Sequence, residues 1–133
     1  MEKKVVVLPC SGIGKAYGEI GRQAVYELVE DLRPEDVTTT CLGRLMIDDP
    51  DTKALIQESI VITIDGCTQD CARKTVESTG KNVESALRVI EAFKKNRDVK
   101  PKGILELGEP GFKLVHILAQ RLNEEVDCVM KKE

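Results

Sequence analysis

Apolar residues recur along this chain in two alternating periods. The clearest stretch is Ser59-Ile60-Val61-Ile62-Thr63-Ile64-Asp65, whose unbroken apolar and β-branched run predicts a strand covered on both faces. Gly66 permits the backbone reversal that follows, and a helix runs from the Cys67 to Cys71 region to Thr79, stopping at Gly80. If Cys67 lies in the first turn, Cys71 shares its helix face, where unpaired amides favour thiolates. Residues 4–8 predict a first strand, and Pro9 to Gly14 a strand-to-helix loop. A helix over 16–32 presents Ile13, Ala16, Ile20, Ala24, Leu28 and Leu32 on one side and stops before Arg33-Pro34. Gly18 and Gly21 weaken that helix, which implies close approach to a sheet. Val37 to Cys41 is a short second strand, and Asp49-Pro50 opens a helix ending near Glu58. Asn82 caps a predicted helix over Val83 to Lys95, with Val83, Ala86, Leu87, Ile90 and Phe93 inward and Glu84–Arg88 and Glu91–Lys95 pairs outward. Gly103 to Gly108 is a weaker fourth strand. From Pro110 a terminal helix carries the stripe Phe112, Val115, Leu118, Leu122, Val126 and Val129.

Strands alternating with helices predict an α/β protein, a small flavodoxin- or Rossmann-like three-layer fold with a four-stranded parallel sheet in the order 2-1-3-4. That order places the first strand between the second and third. Cys10, Cys41 and Cys67 then leave three adjacent strands at one sheet edge, with Cys71 closing from the helix. Four thiols converge on a place suited to a metal ion.

Composition narrows the functional classes. A chain of 133 residues makes one domain with a core of its own and needs no disulfide staples. Aromatics at 3%, with no Trp, leave little to stack on bases, and the net charge of -3 includes no basic block for phosphates or anionic lipid. Nucleic acid and membrane are therefore not expected partners; a metal ion is, with a protein as the second candidate. No apolar run reaches membrane-spanning length, and Val5 to Leu8 is too short for a signal peptide. The reading is cytoplasmic, where five cysteines point to metal binding or redox use.

Other motifs compete less well. Gly12, Gly14 and Gly18 are spaced wrongly by one residue for a dinucleotide turn, and no acid ends the second strand. Gly14-Lys15-Ala16 lacks the Ser or Thr of a phosphate loop. Cys67 to Arg73 satisfies the Cys-x5-Arg spacing of cysteine phosphatases, yet the residues between contain no glycine to form an anion nest. Cys67 and Cys71 could alternatively form a redox pair. His116 reads as a surface or rim residue, Asp48, Asp49 and Asp51 as loop and capping residues, and Cys128 as structural or partly exposed, outside the convergence.

Pro9-Cys10-Ser11-Gly12-Ile13-Gly14, Cys41-Leu42-Gly43, and Ile64-Asp65-Gly66-Cys67 with Cys71-Ala72 together resemble the DGC domain family, described as candidate zinc-binding proteins. The resemblance covers residues 4–80 and extends loosely to Leu105-Glu106-Leu107-Gly108. It implies that Cys10, Cys41, Cys67 and Cys71 are the metal ligands and supplies no established reaction. Residues 81–98 and 110–133 look like helical additions to a single domain over 1–133. Four thiolates suit zinc, and equally an iron-sulfur cluster. Around a divalent ion they leave a charge of about -2, to be offset by the amides of Ser11 to Gly14, the first turn after Cys67, Lys15, Arg44 and Arg73. The glycine-free loop makes one expectation definite: any hydrolysis of an aryl phosphate stays at background and is unchanged by Arg73→Ala. Arginine-dependent turnover would establish the phosphatase reading instead.

Overall fold

The computed structural model describes residues 5–10, 16–40, 42–66, 70–91 and 108–131. Within these, four parallel strands form one sheet: β1 (Val5–Pro9), β2 (Val37–Thr38), β3 (Ile60–Asp65) and β4 (Ser85–Arg88). Their order is β2-β1-β3-β4. The central pair runs in register from Val5 opposite Ile60 to Pro9 opposite Ile64. β4 joins the other edge of β3, with Asp65 opposite Arg88.

Side-chain alternation along β1 and β3 divides the interior in two. Val5, Val7, Ile60, Ile62 and Ile64 face a cluster with Ile20, Ala24 and Leu28 of helix α1 (Ala16–Glu27) and its π-helical continuation Leu28–Leu32. The same cluster contains Leu114, Leu118, Leu122, Val126 and Val129 of the terminal helix, here α5 (Gly108–Lys131). On the opposite face Val6, Leu8, Cys10 and Val61 pack with Leu42 and Leu45 of α2 (Leu42–Met46), Ile56 of α3 (Pro50–Glu58), and Ala72 and Val76 of α4 (Cys71–Glu77). Three layers result. Both cores require a sheet apolar on each side, which is why β3 carries no polar alternation before Thr63.

Local chemistry sets the element boundaries. Asp49 caps α3 by accepting the Thr52 N–H at 3.0 Å, ahead of Pro50 at the first helical position. Gly80 ends the turn after α4 with φ of +88°, a conformation that costs other residues more. A Cβ on Gly21 would meet Val89 Cγ2 at 3.4 Å and Ile64 Cγ1 at 3.8 Å, so α1 does approach the sheet closely there. Arg33 hydrogen-bonds Asn123 Oδ1 at 2.8 Å and pairs with Asp127, tying the end of the π-helical segment to α5.

Three expectations change, and a fourth lies outside the described residues. Ser85–Arg88 is a strand rather than part of a helix beginning at Val83, because pairing with β3 outweighs a sequence with modest helical periodicity. Arg88 accordingly pairs with Asp70 and Glu91, not Glu84. The strand expected at 103–107 lies outside the described residues, and Gly108 already belongs to α5. Phe112 is 49% exposed, while Leu114 and Ala119 take core positions on that helix. The region after Cys41, unassigned from sequence, forms α2.

No helix among the described residues is long and apolar enough to cross a membrane. Since α5 closes the core over β1 and β3, Leu122→Ala is expected to cost about 2–5 kcal/mol, measured as a lower urea midpoint at unchanged m. A loss near zero would mean that α5 is not packed as described.

Candidate metal centre

The carboxyl ends of β1 and β3 bring the first thiol into place. The Cys10 N–H donates to Ile64 O at 3.0 Å, continuing the β1–β3 ladder one residue past the strand. Gly66 in turn donates its N–H to Cys10 Sγ at 3.3 Å. Cys10 is buried beneath these bonds, in the cluster that holds Ala72. The bond sets the sulfur against Gly66, the residue that follows β3.

Cys71 is the first residue of α4 and is exposed. Its position depends on three groups that the apolar pattern does not reveal. Asp65, buried at the end of β3, accepts the Ala72 N–H at 2.7 Å and the Arg73 N–H at 3.3 Å. It caps α4 from across the turn. Asp70, next to Cys71, has a left-handed backbone with φ of 54° and makes no side-chain cap of its own. Its carboxylate instead takes both prongs of Arg88, Nε to Oδ1 at 2.8 Å and Nη2 to Oδ2 at 2.6 Å. The Asp70 carbonyl accepts the first intrahelical bond, from Lys74 N–H at 2.9 Å.

The carboxyls respond in opposite directions. Burial pushes Asp65 above its ordinary range and Asp70 adds to that, against the two amides and Arg88. The Arg88 hydrogen bonds hold Asp70 below its ordinary range, and Asp70 raises Arg88 further above its own.

This corrects the expected charge balance. The Ala72 and Arg73 amides are engaged by Asp65 and so are not available to thiolates. α4 begins at Cys71, after the left-handed Asp70. Arg73 points to solvent and pairs with Glu77 at 3.5 Å, as befits a helix-surface residue. Arg44 is exposed and acts on Asp49. Cys41, Cys67, Lys15 and residues 11–14 lie outside the described residues. Among those described, no group of three or more His, Cys, Asp or Glu side chains is arranged to hold an ion. Cys128 is exposed on α5, and His116, also exposed, pairs with Glu27. A cavity of about 430 Å³ bounded by Gln57, Ser59, Ile60, Lys81 and Glu84 opens at the amino end of β3, away from the thiols.

The model of the DGC domain matches residues 6–108. The chain belongs to the DGC domain family. Comparison with curated proteins and with solved structures finds no match. The DGC region thus contains the sheet except Val5, together with the described thiols Cys10 and Cys71, while most of α5 lies beyond it. The Asp65, Asp70 and Arg88 arrangement also falls within it. A sequence signal existed for Asp65 alone: an acid at the end of a buried strand, before a glycine, has few uses other than satisfying amides.

Asp65→Ala leaves two amides of α4 without their acceptor and should lower stability by about 1–2 kcal/mol near neutral pH. The acid side separates the carboxyls. Asp70, with a folded pKa below its unfolded one, stabilises above the unfolded value and loses that contribution as pH falls through the folded one. For Asp65 the sign is reversed, since its raised pKa means that ionisation itself costs the fold. Asp70→Asn should therefore flatten the acid loss of stability, and Asp65→Asn steepen it, in urea midpoints taken across the acid range.

Proposed function

We propose that this DGC domain protein is a cytoplasmic metal-binding protein that holds zinc through Cys10, Cys41, Cys67 and Cys71 at the carboxyl edge of the sheet, in metal or sulfur handling. The observation that carries the reading is the Gly66 N–H donated to Cys10 Sγ, which places the thiol of one strand against the loop of the next. Sequence then supplies neighbours: Cys67 directly follows Gly66, and Cys71 opens α4. On the other side of β1, Thr39 Oγ1 donates to Val7 O at 2.7 Å, two residues before Cys41. The donor chemistry fits a thiophilic ion, since four thiolates satisfy tetrahedral zinc. Bound zinc would supply either a structural tie between loops or a Lewis acid, and the residues named would hold it. Arg88 is the cation that pairs with Asp70, the residue before Cys71.

Metal analysis of anaerobically purified protein tests the proposal. One zinc per chain is expected, with a marked loss when Cys10, Cys41, Cys67 or Cys71 is changed to Ser and none for Cys128→Ser. Iron with labile sulfide would assign a cluster instead. In a timed alkylation series, zinc should protect Cys67 and Cys71 but leave Cys128 unaffected. Equal metal retention in all five variants would remove the site.

A further inference from the structure

We infer that Arg88 is a positioning residue for Cys71, holding the thiol at the metal through Asp70; the inference rests on the four-cysteine reading above. Arg88 lies on β4 in register with Asp65, so two neighbouring strand ends each grip one part of the α4 start. Asp65 holds the Ala72 and Arg73 amides, and Arg88 holds the Asp70 carboxylate by a two-pronged fork. Between those two grips sits Cys71. Asp70 is a left-handed non-glycine residue, a conformation that a neighbouring interaction must sustain. Its side chain makes no cap bond that would sustain it locally, so the Arg88 fork supplies the restraint. The fork is geometric as well as electrostatic: two parallel N–H···O bonds fix the carboxylate plane, and with it the direction in which the chain enters α4. Arg88 also contacts Glu91 at 3.2 Å through Nη1, a nitrogen that the fork to Asp70 does not use. Groups that orient a metal ligand without touching the ion commonly alter affinity by a factor of ten or more.

The test compares wild-type protein with Arg88→Gln in two readouts. Anaerobic titration with Co²⁺ reports thiolate ligation through the sulfur-to-cobalt charge-transfer band, and amide exchange of the metal-free proteins reports the start of α4. Arg88→Gln is expected to bind Co²⁺ about tenfold or more weakly. Its charge-transfer intensity should fall by about a quarter, one thiolate of four. The Ala72 and Arg73 amides should exchange faster, while those of Leu118 and Leu122 in α5 keep their rates. Arg88→Lys, which keeps the charge without the fork, should recover only part of the effect. Glu91→Gln should leave the cobalt spectrum unchanged. If Arg88→Gln also speeds exchange at Leu118, the variant has lost its fold, and Asp70→Asn replaces it, since Asn tolerates the left-handed backbone while losing the charged pair.

An unchanged cobalt spectrum and affinity in Arg88→Gln, with wild-type protein showing four-thiolate binding, would overturn the inference alone. If wild-type protein takes up no Co²⁺ or Zn²⁺, the metal reading falls, and the positioning of Cys71 is decided by exchange. Faster exchange at Ala72 and Arg73 then supports it, and unchanged exchange overturns it.

Discussion

The parallel pairing of β1 with β3 is the constraint on which the rest depends. Five register pairs fix which residues of each strand face which layer, and a slip by one residue would exchange the two cores. The same pairing determines where both strands end. With Pro9 opposite Ile64, the next residues are Cys10 on one side and Asp65-Gly66 on the other, so a thiol, a carboxylate and a glycine arrive together. Chemistry at the edge is thus a product of strand register rather than of any local motif.

What could be read from the sequence followed from how each feature is encoded. The buried run at Ile60 to Ile64 and the stripe from Val115 to Val129 are local patterns of apolar residues, and both became the expected elements. The order 2-1-3-4 agreed with the flavodoxin-like arrangement that alternating strands and helices suggest, although its fourth strand is Ser85–Arg88. Ser85–Arg88 was not legible, because Val83, Ala86, Leu87 and Ile90 mimic helical spacing and only pairing with β3 decides the matter. With that strand hidden, the reach of Arg88 to Asp70 was hidden too. Cys10 and Cys71 could be placed at the edge from sequence, whereas the capture of the α4 amides by Asp65 depends on a side chain crossing a turn.

That capture changes the electrostatic character of the edge. A helix start with bare amides would act as a positive pole toward thiolates. Here the pole is spent on a buried carboxylate, which fastens α4 to β3, and positive charge enters instead through a guanidinium from the outer strand. Asp70 absorbs much of that charge. The described edge is therefore tied to two strands by hydrogen bonds, with the guanidinium charge set against a carboxylate.

The placement of α5 has a consequence for the order in which the chain can mature. Synthesis runs from the amino end, so all four strands exist before the residues from Leu114 to Val129 have been made. Until then Val5, Val7, Ile62 and Ile64 lack a large part of their cover on one face, although α2, α3 and α4 are already available for the other. A nascent chain at that stage presents a half-covered apolar sheet, the kind of surface that chaperones engage and that other chains can join. The emergence of α5 ends this vulnerable interval.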